Sequence, residues 1–255
     1  MIRPVVSMQN ENFKIWKQLS TSKGIRKHQS FFLMGEKLVT EFLRRPHFDI
    51  IAEVLGPDHR TLLEGRAFDD IPRYQLSREM FDEIDVIGTH FNLLLLKAPD
   101  SPREEPREPR GLELILPLGD PSNLGAALRS ACAFGIEKVF LCEEACHPFH
   151  PKAIKASAGA SLYLKLVRTS SLKTILSADM AAGIKNLLVL DQGGTPLPKF
   201  SWPENSYLVV GEEGPGLPPH SQPVVSIPTQ KVESLNAAVS VSLACFNYQY
   251  RSISK

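Results

Sequence analysis

The sequence predicts an α/β protein in two domains, and three observations carry that expectation. Short apolar runs of strand length alternate with segments of helical spacing along most of the 255 residues. Residues 98–110 set four prolines among interleaved charges, a composition that behaves as an extended, semi-rigid linker between residues 1–97 and 111–255. Residues 112–142 read as a strand, a capped helix and a second strand. Both parts have the size of a compact domain, and 43% hydrophobic with 22% charged residues describes an ordinary globular chain.

In the first domain, residues 13–19 read as a helix and residues 22–27, Ser-Lys-Gly-Ile-Arg-Lys, as a basic turn. A strand at 31–36 leads into a helix at 37–44, with Leu38, Val39, Phe42 and Leu43 as its apolar stripe. Strands at 49–55 and 92–97 follow, with a helix starting at 77–81 between them.

The second domain opens on Leu112–Leu116, a short buried strand. Asp120 and Ser122 can cap the next helix, and Pro121 is tolerated in its first turn, where its missing N–H costs nothing. Leu124, Ala127, Leu128, Ala131 and Phe134 recur at helical spacing, and Gly135 fits just past the end. A strand at 139–142, a helix near 151–159, a strand at 162–167 and a helix at 171–182 continue the alternation. Strands at 186–190 and 207–210 precede a last helix from 235 to about 248. General rules predict an open parallel sheet with right-handed crossovers. No G-x-G-x-x-G lies between strand and helix, since Gly211, Gly214 and Gly216 reverse that spacing, and no P-loop is present.

The net charge of +1 conceals an uneven distribution: through Arg45 there are nine Lys/Arg against three Asp/Glu. A basic arm suits contact with a phosphate backbone; a solvated helix face is the alternative reading. No apolar run reaches bilayer length, and the first residues lack a signal peptide's apolar core, so a cytoplasmic address is expected. Cys142, Cys146, His147 and His150 fall within loose zinc spacing. Cys142 nevertheless ends a buried strand and no second ligand pair is near, so no metal is expected.

Three segments stand out: residues 120–131, with Asn123 and Arg129; residues 207–218, a strand running into a Gly-rich turn; and residues 225–240, a strand, a loop and a capped helix. In this order and at these distances they resemble the SpoU (TrmH-like) RNA ribose methyltransferases of the SPOUT superfamily. The Lys-Gly-x-Arg-Lys segment ahead of Phe-x-x-x-Gly-Glu is similar to the opening of that family's substrate-binding domain, which resembles certain RNA-binding ribosomal proteins. The resemblance implies a C-terminal parallel-sheet domain tied in a trefoil knot, an S-adenosylmethionine cofactor and no metal. It also implies an RNA substrate, rRNA favoured over tRNA, and a homodimer paired through the C-terminal domain. Val239, Val241, Leu243, Phe246 and Tyr250 would then supply apolar surface on the last helix.

Ribose methylation asks for a bound methylsulfonium donor, a positioned 2′-hydroxyl and relief of that hydroxyl's proton. By resemblance, Gly211, Gly214, Gly216, Leu217, Ile227, Pro228, Leu235, Asn236 and Ala237 surround the donor, with glycines admitting close backbone approach. Asn123, Arg129, Glu213, Ser234 and Asn236 form the catalytic set, and Ser234 can also cap the last helix. The family account makes the matching Arg a proton acceptor. A guanidinium has no acceptor and a pKa above about 12, so Arg129 is expected instead to clamp substrate phosphate and stabilise charge developing on the 2′-oxygen. Lys23, Arg26 and Lys27 are candidates for phosphate contact. The chain departs from the pattern at Glu212, where relatives often carry Asn, at Ala237 in place of Val, and in a 229–232 loop one residue short and without its customary glycine. Rival readings are a tRNA 2′-O-methyltransferase, a base methyltransferase, and an inactive RNA-binding or ribosome-assembly factor with the same fold.

Overall fold

The computed structural model describes residues 2–211 and 217–251. They form two compact units, one of residues up to Asp100 together with His147–Ala158, the other of Ser101–Cys146 together with the residues from Gly159 onward.

The first unit runs β1 (Ile2–Val5), α1 (Glu11–Gln18), α2 (Ser22–His28), β2 (Ser30–Leu33), α3 (Glu36–Arg44), β3 (Ile50–Leu55), β4 (Arg73–Leu76), α4 (Arg78–Ile84) and β5 (Leu93–Lys97). Its mixed sheet has the order β1-β4-β3-β5-β2, with β5 antiparallel to β2 and β3. Phe13 and Trp16 of α1 pack with Phe32, Val54, Leu76 and Phe81 in one core. Asn10 starts α1 by accepting from the amides of Asn12 and Phe13.

Two expectations are corrected here. Residues 22–27 are the helix α2, not a turn, because Thr21 Oγ1 caps it at Gly24 N (3.0 Å). Gly24 serves packing rather than turning: a Cβ there would stand 1.9 Å from the carbonyl oxygen of Gln18. The segment His147–Ala158 belongs with the first unit although it follows the linker by some forty residues. Phe31, on the sheet face opposite Phe32, stacks on Phe149 at 4.5 Å with an 18° interplanar angle, and Phe48 meets both rings edge-on. The helix Pro151–Ser157 follows, capped by His150 Nδ1, which accepts from Lys152 N.

The second unit comprises β6 (Leu112–Leu116), α5 (Pro121–Ala133), β7 (Lys138–Leu141), β8 (Lys165–Arg168), α7 (Leu172–Ile175), α8 (Ala178–Ala182), β9 (Leu187–Pro196), β10 (Ser206–Val210), β11 (Val224–Ser226) and α9 (Ala237–Gln249); Pro151–Ser157 is α6 in chain order. Its six-stranded sheet is parallel throughout, in the order β11-β9-β10-β6-β7-β8. Near-continuous apolar strands suit a sheet covered on both faces, and all five residues of β6 and of β10 are buried. One face packs α5 and α9 around Leu114, Leu128, Leu208 and Val241; the other packs Ile115, Phe140, Val167 and Val209 beneath α7 and α8. The helix expected at 171–182 is two short helices, since Ser177 Oγ turns back to Thr174 O and restarts the chain. The strand expected at 162–167 begins only at Lys165, after a 3-10 turn at Ala160–Leu162. Part of the expected linker lies along the edge of β8: Arg168 N donates to Pro102 O and Glu104 N to Arg168 O.

Candidate active site

Two helix starts meet at the C-terminal edge of the parallel sheet. Asp120 Oδ1 accepts from Ser122 N (2.9 Å) and Asn123 N (2.8 Å), which fixes the first turn of α5. Asn236, not Ser234, is the N-cap of α9: its Oδ1 accepts from Ala238 N (3.0 Å) and Val239 N (3.4 Å). With that oxygen committed to backbone, Asn236 Nδ2 donates to Asn123 Oδ1 at 2.9 Å. Ser130 Oγ and Ser242 Oγ meet at 2.6 Å and hold the two helices together further along.

Beside this junction lies a cleft of about 300 Å³ at the middle of β9 and the end of β10. Of the residues expected around a donor, Gly211, Leu217, Ile227, Leu235 and Ala237 line it, and so does Ser234. Pro228 and Asn236 do not. Glu213, Gly214 and Gly216 lie outside the described residues. Gly211 is a close approach: a Cβ there would come within 2.9 Å of Leu217 Cδ2.

Sequence reasoning missed the far wall, made by Leu190, Asp191 and Gln192 at the bend of β9. Gln192 Nε2 donates to Glu233 O at 3.0 Å and ties that bend to the loop ahead of α9. The signal was present: a polar pair followed by two glycines interrupts the apolar run of β9, and there its pairing with β11 jumps register from Val189 to Thr195.

Arg129 is exposed on α5 and makes no hydrogen bond or ion pair among the described residues. Lys23, Arg26 and Lys27 are exposed on α2 at positions i, i+3 and i+4, one helical face, while Gly24 and Ile25 are buried. On α9 and at its C-cap, Val239, Leu243, Phe246 and Tyr250 are exposed, Phe246 by 52%. Val241 is fully buried within its own unit and adds nothing to that surface, against expectation.

At the opposite end of the sheet, Glu113 is buried beside Tyr207. Burial pushes the Glu113 carboxyl above its usual range, opposed by the Lys138 charge, and one of its oxygens has no hydrogen-bond partner among the described residues. Burial, then the Glu113 charge, pushes the Tyr207 hydroxyl up in turn. Burial also raises the Cys142 thiol. Among the described residues no group of His, Cys, Asp and Glu is arranged to hold a metal. No described helix is long and apolar enough to cross a membrane.

Comparison with known proteins adds to this geometry. A model of the SpoU rRNA Methylase family matches residues 114–246. The chain is 37% identical over 250 residues to ribosomal RNA small subunit methyltransferase G 2 of Syntrophobacter fumaroxidans, covering 96% of this chain. It spans about half (48%) of that relative, whose name belongs to the longer whole. Along nearly its full length (96% of this chain, 99% of the relative) it is 29% identical to the 23S rRNA (guanosine(2553)-2′-O)-methyltransferase RlmP of Bacillus subtilis. The AdoMet-bound rRNA methyltransferase of Sinorhizobium meliloti shares the fold, with a TM-score of 0.78 at 20% identity over 99% of this chain and 98% of that one.

Proposed function

The chain belongs to the SpoU rRNA Methylase family, and on that premise we propose that it transfers a methyl group from S-adenosylmethionine to a ribose 2′-hydroxyl of ribosomal RNA. The observation that carries the reading is the Asn236–Asn123 hydrogen bond, which joins two distant motifs at the rim of a donor-sized cleft. The RlmP relative, matched along nearly its full length, favours rRNA over tRNA.

The cleft fits an adenosyl group. Leu190, Val210, Leu217, Ile227 and Leu235 offer apolar walls for an adenine ring, while Ser234 and Ser240 offer hydroxyls to the polar remainder. At Gly211 the missing side chain makes room for Leu217, whose Cδ2 would stand 2.9 Å from a Cβ there, and so keeps that apolar wall close to the end of β10. When bound, the donor supplies a methyl group on a cationic sulfur, already activated for in-line transfer.

The protein's part is alignment and charge. Asn236 holds Asn123 by its amide oxygen, which leaves the Asn123 Nδ2 donors for the ribose. Arg129, without a partner among the described residues, supplies a guanidinium to clamp substrate phosphate and offset negative charge on the 2′-oxygen. Its donors cannot accept a proton, so the hydroxyl proton leaves to solvent or substrate phosphate. Glu213 belongs to the same reading as an orienting carboxylate. Lys23, Arg26 and Lys27 are read as a phosphate-binding face, and the exposed Val239, Leu243, Phe246 and Tyr250 as the homodimer surface.

The test is methyl transfer from labelled S-adenosylmethionine to rRNA from cells lacking the gene, followed by nucleoside mass spectrometry. The expected product is one 2′-O-methylated nucleoside. A methylated base, or absence of donor binding in isothermal titration, overturns the proposal.

A further inference from the structure

We propose that Asp191 and Glu233 make the donor cleft select a cationic sulfur centre over a neutral one, so that the spent donor is bound less tightly than the fresh one. The proposal rests on the reading of this cleft as the S-adenosylmethionine site.

Among the described residues the cleft is lined by two carboxylates and by no Lys, Arg or His. Asp191 and Glu233 reach it from segments 42 positions apart in sequence, and two hydrogen bonds order the chain that carries them. Asp191 Oδ1 accepts from Gln192 N at 2.8 Å, which orients the carboxylate at the bend of β9. Gln192 Nε2 donates to the carbonyl oxygen of Glu233 at 3.0 Å, which keeps the two acid-bearing segments together. The path of β9 past them is constrained: a Cβ at Gly194 would stand 2.2 Å from the carbonyl oxygen of Val224 on β11.

The donor and its spent form share the adenosine, the ammonium and the carboxylate. They differ by a methyl group and by one positive charge on sulfur. Hydroxyls offer no charge to tell the two apart, whereas carboxylates attract the cationic form alone. Both acids are solvent-exposed, so each contributes a screened attraction of about fivefold in Kd rather than the much larger effect of a dry site.

The experiment is isothermal titration of the full chain with three probes: S-adenosylmethionine, sinefungin, which carries an ammonium where the sulfonium stands, and S-adenosylhomocysteine. The wild-type chain is expected to bind the two cationic probes more tightly. Asp191→Asn and Glu233→Gln should each weaken those two about fivefold while changing the neutral-sulfur probe less than twofold, with Asp191→Glu restoring preference. Circular dichroism checks that the variants fold. Equal weakening of all three probes would mean that the carboxylates contact the shared ribose or ammonium, and would overturn the proposal. Unchanged affinities would overturn it too. Failure of the wild-type chain to bind any probe would instead remove the donor reading on which it rests.

Discussion

Asn236 donates to Asn123 across 2.9 Å while capping the helix that begins one residue later, so a single side chain starts α9 and orients the mouth of α5. The two roles separate by substitution. Asn236→Ala loses both and is expected to lower stability by about 1 kcal/mol, the usual worth of a cap. Asn236→Asp keeps an oxygen for the Ala238 and Val239 amides but loses the donor. Asn123 must then turn its own amide toward the new carboxylate and withdraw its donors from the ribose. Its unfolding midpoint should stay near wild type while methyl transfer falls by about a hundredfold, the scale of a misplaced reacting group. Parallel thermal melts and single-turnover assays check both, and wild-type turnover in Asn236→Asp would show that the hydrogen bond is dispensable.

Arg129 offers a complementary case, since no described residue holds it in an ion pair. Its removal should cost little stability, because exposed side chains without partners contribute within about 0.5 kcal/mol. Arg129→Lys keeps the charge and loses the planar fork. If the guanidinium clamps phosphate in a bidentate way, Arg129→Lys and Arg129→Ala should both drop kcat by about a hundredfold or more with melting unchanged. Near-normal turnover in Arg129→Lys would show that a point charge suffices.

What the sequence revealed and what it hid divide along sequence distance. The unit β6-α5-β7 was legible because its strand pattern, Asp120 cap and Leu124/Leu128/Ala131 stripe are all local, and the structure buries that stripe completely. β4 was missed because Arg73–Leu76 has little apolar pattern; its partners β1 and β3 lie far off in sequence. Ser-Lys-Gly-Ile-Arg-Lys read as a basic turn, yet it is a helix whose glycine answers to the close approach of Gln18, a contact not written in local spacing. Ser234 was a plausible cap by type; Asn236 holds the position by facing two amides at the true start of α9. At the site, the motif residues on the near wall were legible. Gln192 was not, because its role depends on a bond to a backbone carbonyl 41 residues away.

Glu113 gives a stability difference with a definite pH sign. Burial raises its carboxyl above the usual 4.5, so from about pH 4.5 upward through the raised value the folded chain holds a proton that the unfolded chain has released. Stability therefore falls with rising pH across that window. Glu113→Gln should equal wild type in acid and exceed it at neutral pH. Glu105 runs the other way: although burial alone would raise it, hydrogen bonds from Ser170 and Thr169 and the Arg103 charge hold it below 4.5. Its contribution is present above 4.5 and is lost as pH falls through the lowered value, so Glu105→Gln should be less stable at neutral pH and approach wild type on acidification. Urea unfolding of the three proteins from about pH 2 to 8 spans both windows and checks both signs at once.

The basic face of α2 predicts a salt dependence. Lys23, Arg26 and Lys27 share one helical face, and the last turn of α2 is where cations are also favoured by the helix dipole. If each meets a phosphate, each displaces condensed counterions, and the slope of log K against log salt carries roughly 0.7 to 0.9 per contact. Replacing Lys23 and Lys27 together with Ala should flatten that slope by about 1.5 and weaken RNA binding uniformly across sequences. S-adenosylmethionine affinity should not change, because the cleft proposed for the donor is lined by residues of the second unit. Filter binding of rRNA fragments over a salt series, with donor titration alongside, measures both quantities. An unchanged slope would return the three cations to a solvated face.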